Sequence, residues 1–293
     1  MRSFLPLLKS AQEGEFDIGE MILHHLADSH ELEIGSWVIP LPRFDPVHIG
    51  PLTLDFSITK HVVFLILAAA LVMLMLIPAA RHAQRARAAG SERGPKGAAN
   101  VVEAFVLFVR DEIAMKGVGP GGERYAPYVV GVFFFILMGN LLGLVPWGAS
   151  PTGNISVTAA LAALTFIVVE VGGMRELGPV GYSKTIFFAP SGLPLIGTAI
   201  LMMVMAPVEA LGKLTKPFAL AIRLYANMTA GHAVVLAFTG MAVTAGLALN
   251  LIWVAPISMA VGIMLLEILV AFLQAYIFAM LSAVFIGLIR HPH

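Results

Sequence analysis

Apolar residues form long, nearly unbroken runs along this chain, and polar residues gather in the segments between those runs. The first run, His61 to Ala80, can cross about 30 Å of hydrocarbon as a helix that rises roughly 1.5 Å per residue. Two further runs, Pro127 to Trp147 and Ile155 to Val171, are joined by the turn Gly148 to Asn154. The pattern therefore predicts one N-terminal span followed by a helical hairpin.

The last two apolar runs are too long for one upright span each. Residues 194–240 and 251–289 would form straight helices of about 70 and 58 Å, roughly twice the thickness of the bilayer. The first of these runs either divides at Thr215-Lys216-Pro217 into two spans, or both runs form long, steeply tilted helices. Residues 257–289 contain no turn signal that could divide the second run into a hairpin. Two tilted helices also leave the basic Arg290 in the cytoplasm, where the positive-inside rule places basic residues. Both observations favour two tilted helices.

Basic residues indicate which segments face the cytoplasm. The predicted linker at 81–98 is the densest basic stretch, so the positive-inside rule places it inside and the N-terminus outside. The predicted loop Gly172 to Thr185 carries Arg175 and Lys184 and also lies inside. Residues 99–116 alternate apolar and charged groups at helical spacing. This alternation predicts an amphipathic helix on the membrane surface, with an ordinary soluble amphipathic helix as the alternative.

Composition supports a membrane protein and excludes several other classes. Of 293 residues, 58% are apolar and 12% are charged, whereas soluble domains have about 45–50% and about 25%. The 18 basic and 18 acidic residues leave no net charge to hold a nucleic acid, and the lack of cysteine excludes disulfides and thiolate zinc sites. We interpret residues 1–60 as a polar extracytoplasmic extension and residues 61–293 as the membrane domain. The predicted fold class is an all-α, polytopic membrane protein.

Arg223 is the most unusual residue of the apolar runs, because no acid lies within ten residues on either side of it. A charge at the centre of a membrane costs about 2.5–3.5 kcal/mol on insertion scales, so such a residue suggests a function. Ala219, Ala226 and Ala230 share its helix face and would let another helix approach closely. Arginine stays protonated in proteins, so Arg223 can be a fixed positive charge but not a proton relay. Snorkelling to the surface is the alternative.

Other polar residues of the last two runs carry groups suited to proton transfer. Histidine and glutamate are common proton donors and acceptors, which points to His232 and Glu267. Glu267 and Gln274 are seven residues apart and therefore share a helix face. We predict that His232 faces Glu267, and that Asn227 and Gln274 help to line a hydrated path. A polar pair that only fixes the helix register is the alternative.

The remaining polar residues allow less specific interpretations. Glu209 and Lys213 have the stabilising i, i+4 order and form either a helix-surface ion pair or a pair at a channel mouth. Asn140 is predicted to form a hydrogen bond between helices. One polar stretch could bind a metal, but nothing fixes its geometry and a solvated segment is expected: His24, His25, Asp28, His30 and Glu31. No cofactor or resident metal is expected. The sequence contains no phosphate-binding glycine loop, and no bond chemistry of its own is expected of the chain.

Two motifs resemble a known family. The stretches PVEALGKLTKPFALAIRLYANMTAGH at 207–232 and EILVAFLQAYIFAMLSAVFIG at 267–287 resemble the a subunit of F-type ATP synthases. The most specific part is RLxxNMxAG, Arg223 to Gly231, with a glutamine some fifty residues later. PLTLDFSITKHV at 51–62 and GNLLGLVP at 139–146 extend the resemblance from about residue 50 to the end.

The resemblance implies a proton-conducting stator subunit in the bacterial inner membrane, with its N-terminus outside and its C-terminus in the cytoplasm. It implies one span, a surface helix, a hairpin and two tilted helices beside a rotating ring of c subunits. It also implies lipid, b-type peripheral stalk subunits and a soluble catalytic ATPase head as partners. Two offset half-channels would pass protons to and from the ring carboxylates. The implied proton-translocating residues are Arg223, Glu267, His232, Asn227, Gln274 and Glu209.

The chain departs from the family pattern at two places. The acid and histidine that the family usually places at 232 and 267 are exchanged here, so the pair is kept while its order is reversed. Tyr225-Ala226 replaces the usual Phe-Gly. The alternative class is an ion-coupled secondary transporter with a buried charged site, which would predict an internal inverted repeat. The two halves of the sequence share neither spacing nor charge pattern.

Overall fold

The computed structural model describes the chain in eight stretches: residues 17–34, 37–50, 52–55, 57–88, 97–145, 147–187, 195–248 and 254–290. Within these stretches, five helices are long and apolar enough to cross a membrane. Backbone groups in hydrocarbon must find hydrogen-bond partners within the protein, and long helices provide them. The predicted fold class, an all-α polytopic membrane protein, is confirmed.

The described part of the N-terminal extension is folded. Helix α1, Ile18–Leu26, begins after Asp17, whose carboxylate accepts hydrogen bonds from backbone N–H groups of the first turn. Two small antiparallel hairpins follow, in which β1 pairs with β2 and β3 with β4. Their strands are β1 (Glu31–Ile34), β2 (Trp37–Pro40), β3 (Val47–Ile49) and β4 (Leu52–Leu54). The extension thus adds short strands to an otherwise helical chain.

Helix α2, Lys60–Ala88, contains the predicted N-terminal span and continues beyond it. The prediction of a linker that begins at residue 81 is therefore wrong. Residues 81–88 consist largely of alanine and arginine, which are strong helix formers, so nothing in that segment ends the helix. Residues 89–96 of the predicted linker lie outside the described residues.

The predicted amphipathic segment forms helix α3, Ala98–Phe108. A π-helical segment, Val109–Met115, and a last α-helical turn, Lys116–Val118, extend α3 without interruption. Several apolar side chains of this extension are fully buried, whereas most of α3 itself is exposed. The segment is not among the five candidate spans of the described chain, and its place on the membrane surface stays a prediction.

The predicted hairpin consists of α4, Ala126–Gly143, and α5, Ile155–Ile186. The predicted loop Gly172 to Thr185 is wrong, because α5 continues through it. The helix is interrupted only at Gly178, where φ is 69° and the next residue is Pro179. Glycine tolerates this positive φ, and proline resumes a helix readily at its first position. The charged residues of the segment therefore lie on a broken helix.

The last two apolar runs form two long helices, α6 (Leu195–Ala248) and α7 (Val254–Arg290). The alternative division at Thr215-Lys216-Pro217 is wrong, because α6 is continuous there and also passes through Pro207. The favoured interpretation of two long helices is confirmed. Their tilt in the membrane stays a prediction.

The contacts divide the chain into two compact units. The described residues of Met1–Val72, Phe135–Asn154 and Tyr225–Leu273 form the first unit. Those of Met73–Phe134, Ile155–Leu224 and Gln274–His293 form the second unit.

In the first unit, the N-terminal extension is attached to the helices. Gly240 of α6 leaves room for Ile18 and Met21 of α1, which a larger side chain would crowd. Asp28 accepts a hydrogen bond from the amide of Asn154, and its Oδ1 lies 2.7 Å from Nδ1 of the buried His61. Partial burial raises the pKa of Asp28, but the hydrogen bond and charge of His61 outweigh it and the pKa is lowered overall.

In the second unit, small residues allow close contact with α7. Ala275, Ala279 and Ala283 are spaced one turn apart and fully buried. A Cβ atom added at Gly117 would lie 2.7 Å from the Cβ of Ala283, so this approach requires glycine. At the end of α7, Arg290 donates a hydrogen bond to the Pro120 carbonyl at 3.0 Å. These contacts hold the C-terminal half of α7 in place.

Candidate functional site

Helix α6 carries Arg223 near its middle and exposes its side chain. Among the residues that the structure describes, no acid or hydrogen-bond acceptor contacts the guanidinium. Leu224, the next residue, points about 100° away around the helix and is buried. The structure therefore presents Arg223 outward on a rigid element, as a fixed cation without a partner in the described chain.

The surface around Arg223 is small and smooth. Ala219, Ala226 and Ala230, which the sequence placed on the same face, are all exposed. Asn227 is also exposed and follows Arg223 by one turn. A helix face that exposes alanines beside a cation allows another helix to bring an acid into contact. This surface, defined by these five residues, is called the arginine face below.

The structure brings His232 and Glu267 together, as the sequence predicts. Nδ1 of His232 lies 3.1 Å from Oε1 of Glu267, within ion-pair distance. Glu267 is buried, and in the described part of the chain its Oε1 has no hydrogen bond of good geometry. Gly231 precedes His232 and provides the space for the Glu267 carboxylate, because a Cβ there would collide with it. Helices α6 and α7 thus hold an acid and an imidazole side by side.

The His232 ring is held at both nitrogens. Nε2 lies 2.9 Å from the Gly143 carbonyl oxygen at the end of α4, and Nδ1 lies 3.0 Å from the Met228 carbonyl oxygen. Carbonyl oxygens only accept hydrogen bonds, so only a ring protonated at both nitrogens can donate to both. The pocket therefore suits a histidine that binds a proton, with a carboxylate in contact to receive it.

A buried polar network supports α4 beside this pair. Asn140 is fully buried, accepts a hydrogen bond from the Thr152 hydroxyl and donates one to the Ala271 carbonyl at 3.4 Å. Ala271 lies one turn after Glu267 on α7. The predicted hydrogen bond between helices is confirmed, and it fixes the helix that carries Glu267.

The other predicted residues occupy different surroundings. Gln274 is buried on α7 in the second unit. Glu209 is exposed on α6 and lines a cavity of about 1080 Å³ within the second unit. The predicted ion pair between Glu209 and Lys213 is not formed. Lys213 instead turns to α5, where its Nζ lies 3.9 Å from Oε2 of Glu170.

Sequence analysis missed the α5 residues that surround Lys213. Its Nζ donates hydrogen bonds of 3.2 Å to the Tyr182 and Thr185 hydroxyls and lies 4.3 Å from the centre of the Tyr182 ring. Glu170 was a detectable signal, because it is an acid inside an apolar run.

The polar residues of the N-terminal stretch bind the protein's own groups. Nδ1 of His25 lies 3.0 Å from the Met21 carbonyl oxygen, and Asp28 contacts His61. Within the described residues, no group of three histidine, aspartate or glutamate side chains converges as metal ligands would.

Comparison with protein families gives a match over most of the chain. The family described as ATP synthase A chain matches residues 62–287, which include all five candidate spans almost completely. The chain belongs to this family.

Individual relatives agree with this assignment. The chain is 42% identical to an ATP synthase subunit a of Chloroherpeton thalassium over 270 residues, which cover 91% of this chain and 75% of that protein. It is 41% identical to an ATP synthase subunit a of Chlorobaculum tepidum over 280 residues, covering 95% and 75%. For an ATP synthase subunit a of Anaeromyxobacter dehalogenans, identity is 40% over 300 residues, covering 96% and 74%.

Family membership confirms the predicted family and the predicted general role, a stator subunit of the proton-conducting membrane sector. The chain is a multi-pass protein of the bacterial inner membrane and one part of a complex with other ATP synthase subunits. The alternative of an ion-coupled secondary transporter is rejected.

Proposed function

We propose that this chain passes protons across the membrane through two offset half-channels that are separated by Arg223. Its partner at the arginine face is the ring of c subunits, whose carboxylates carry the protons between the half-channels. The b-type peripheral stalk subunits hold the chain against rotation and connect it to the soluble catalytic head. The N-terminus lies outside and the C-terminus in the cytoplasm, as the basic residues predict.

The single observation that carries this proposal is that Arg223 on α6 is exposed and has no partner among the described residues. A lone charge in hydrocarbon is costly, so the residue requires an acid from elsewhere. The alanines of the arginine face let a second helix come close enough to supply one. A carboxylate on a helix of a rotor can supply this acid and can come close to Arg223. It returns with each step of the rotor, because it can approach ionised and leave neutral.

The proposed inlet path contains His232 and Glu267. Their contact, made through a Glu267 oxygen that has no hydrogen bond of good geometry in the described chain, supports stepwise transfer between protein groups and water. Asn227 and Gln274 provide amides that can orient water along this path. From here the proton reaches a ring carboxylate and neutralises it, and the neutral carboxyl group can then face lipid.

Arg223 separates the inlet path from the outlet path. It attracts the next ionised ring carboxylate, and its fixed charge repels a proton that would otherwise cross directly. The outgoing proton leaves past Glu209 toward the cytoplasm. Each proton driven by the membrane potential contributes about 2.3 kcal/mol per 100 mV to rotation.

The test is Arg223→Ala in inside-out membrane vesicles. We expect loss of ATP-driven proton pumping, because no fixed charge then draws the ionised carboxylate into place. We also expect a passive proton leak through the membrane sector, measured as proton flux after the soluble head is removed.

Arg175→Ala is the matched control, because Arg175 is also an exposed arginine on a membrane helix. It should pump normally and should not leak. Coupled pumping in Arg223→Ala at the level of this control would disprove the proposed role.

A further inference from the structure

The cavity of about 1080 Å³ in the second unit has charged residues in its largely apolar lining, and the inlet path uses none of them. Helices α5, α6 and α7 form its walls. Its charged residues are three lysines and two glutamates, namely Lys184, Lys213, Lys216, Glu170 and Glu209. A cavity of this size with several charges holds water rather than remaining dry.

Glu170 is the least exposed acid of the cavity. Its side chain is 13% exposed, whereas Glu209, which also lines the cavity, is exposed. No group of the described chain donates a hydrogen bond to Glu170, and neither carboxylate oxygen is sealed from the cavity. An acid with a purely structural role at this depth would be expected to be hydrogen-bonded. The Glu170 carboxylate instead lines the cavity without a hydrogen-bond donor from the described chain.

Lys213 supplies a fixed positive charge beside Glu170. It is buried, and the hydroxyl groups of Tyr182 and Thr185 hold its Nζ in position. Both hydroxyl groups lie on the part of α5 after the break at Gly178. Burial disfavours an ionised Glu170, whereas the nearby lysine favours it. Lys213 is therefore placed to stabilise the carboxylate form of Glu170.

The cavity extends along α6 toward Arg223. At about 100° per residue, Lys216 lies within about 20° and Glu209 within about 40° of the Arg223 direction on the helix. Leu220 is the lining residue of α6 that comes closest to Arg223 in sequence, three positions before it. The cavity therefore begins less than one helical turn from the fixed cation.

We propose that Glu170 accepts the outgoing proton in this cavity and that Lys213 stabilises its carboxylate between transfers. This inference rests on the proposed function, to which it adds a proton-binding residue on the outlet side. The O–H bond of a ring carboxyl group breaks and its proton passes through cavity water to a Glu170 oxygen. The O–H bond formed there then breaks, and the proton moves to cytoplasmic water while the carboxylate is restored.

The test is passive proton flux through head-stripped vesicles, divided by the amount of assembled membrane sector. Glu170→Gln should lower the flux by about tenfold or more, since it keeps the shape but removes the acceptor. Glu170→Asp should retain most of the flux, since it keeps a carboxylate. Wild-type flux in Glu170→Gln would overturn the proposal, and so would equal losses in both variants, which would indicate a role in packing only.

Two further variants keep the result decisive. Glu170→Gln leaves Lys213 buried without its acid, which can impair folding, whereas Glu170→Gln combined with Lys213→Met removes both charges. This double variant should conduct as poorly as Glu170→Gln, and wild-type flux in it would again overturn the proposal. Glu123→Gln, an exposed acid outside the cavity lining, is the control and should conduct normally.

Arg223→Ala in the same vesicles separates this inference from the proposed function. If Arg223→Ala leaks and loses pumping while Glu170→Gln conducts normally, only the role of Glu170 fails. If Arg223→Ala pumps normally, the proposed function itself fails.

Discussion

At the scale of single residues, the contact between His232 and Glu267 in the proposed inlet path depends on a glycine. Gly231 lies against the Glu267 carboxylate, and its neighbour His232 contacts the same carboxylate at 3.1 Å. The three residues form a unit in which the glycine sets the distance between the acid and the imidazole. An acid and a histidine can make this contact in either order, because each residue reaches across the same gap between α6 and α7.

Gly231→Ala should therefore lower proton conduction while the protein still folds. The new methyl group would collide with the flexible Glu267 side chain, which can move away and lose its contact with His232. ATP-driven pumping should fall about tenfold or more, while the complex still assembles. Gly212→Ala is the control on the same helix, because nothing lies within 4 Å of a Cβ at that position. Equal pumping in the two variants would refute this role of Gly231.

At the scale of elements, α1 is attached to the membrane helices by few but specific contacts. Asp28 links the segment after α1 to His61 of α2 and to Asn154, just before α5. Lys60 adds a hydrogen bond of 2.8 Å from its Nζ to the His25 carbonyl. The lowered pKa of Asp28 means that these contacts favour the ionised carboxylate.

Asp28→Asn should loosen α1. Loss of a charged hydrogen bond at this partly exposed site should lower the free energy of local opening of α1 by about 1 kcal/mol. Amide hydrogen exchange in residues 18–26 of the purified complex should therefore become roughly fivefold faster. Because the folded-state pKa is lowered, the contribution of Asp28 is complete at neutral pH and is lost as the pH falls below about 4. The difference between wild type and variant should shrink in that range. Asp45→Asn, an exposed control, should exchange like wild type at every pH.

The helices could largely be predicted from the sequence, because a run of apolar residues has few alternatives in a membrane. The continuity of α6 through Pro217 was predicted from two observations together. The run that forms α7 has no turn signal, and a divided α6 would have placed the basic Arg290 outside. The predictions of a linker from residue 81 and of a loop at Gly172 to Thr185 were wrong because charged residues were taken to indicate loops. Arg175 and Lys184 lie on the broken helix α5, where side chains can carry charge to solvent without ending the helix.

The partners of buried residues were harder to predict than the helices. Helical periodicity identifies neighbours within one helix, so it paired Lys213 with Glu209. The actual neighbour, Glu170, lies on α5, and only the tertiary structure brings the two together. The contact between His232 and Glu267 was predictable because both residues had to find a polar partner in an apolar environment.

At the scale of the whole molecule, the arginine face is incomplete in the single chain. Arg223, Asn227 and the three alanines around them are exposed together on a helix whose other side is buried at Leu224 and Met228. An exposed cation that faces hydrocarbon is unfavourable, so this surface requires a partner in the assembled membrane sector. The alanines set how close that partner can come.

Ala226→Leu should therefore separate the arginine face from its partner. Leucine keeps the helix and its apolar character, but it adds a branched side chain where close approach is needed. We expect less c-subunit ring to copurify with the chain from solubilised membranes and ATP-driven pumping to fall with it. Ala210→Leu makes the same change on an exposed position of α6 that points about 140° away from Arg223. A ring that copurifies equally well with both variants would show that the partner binds elsewhere, since only one of the two leucines stands between Arg223 and an approaching carboxylate.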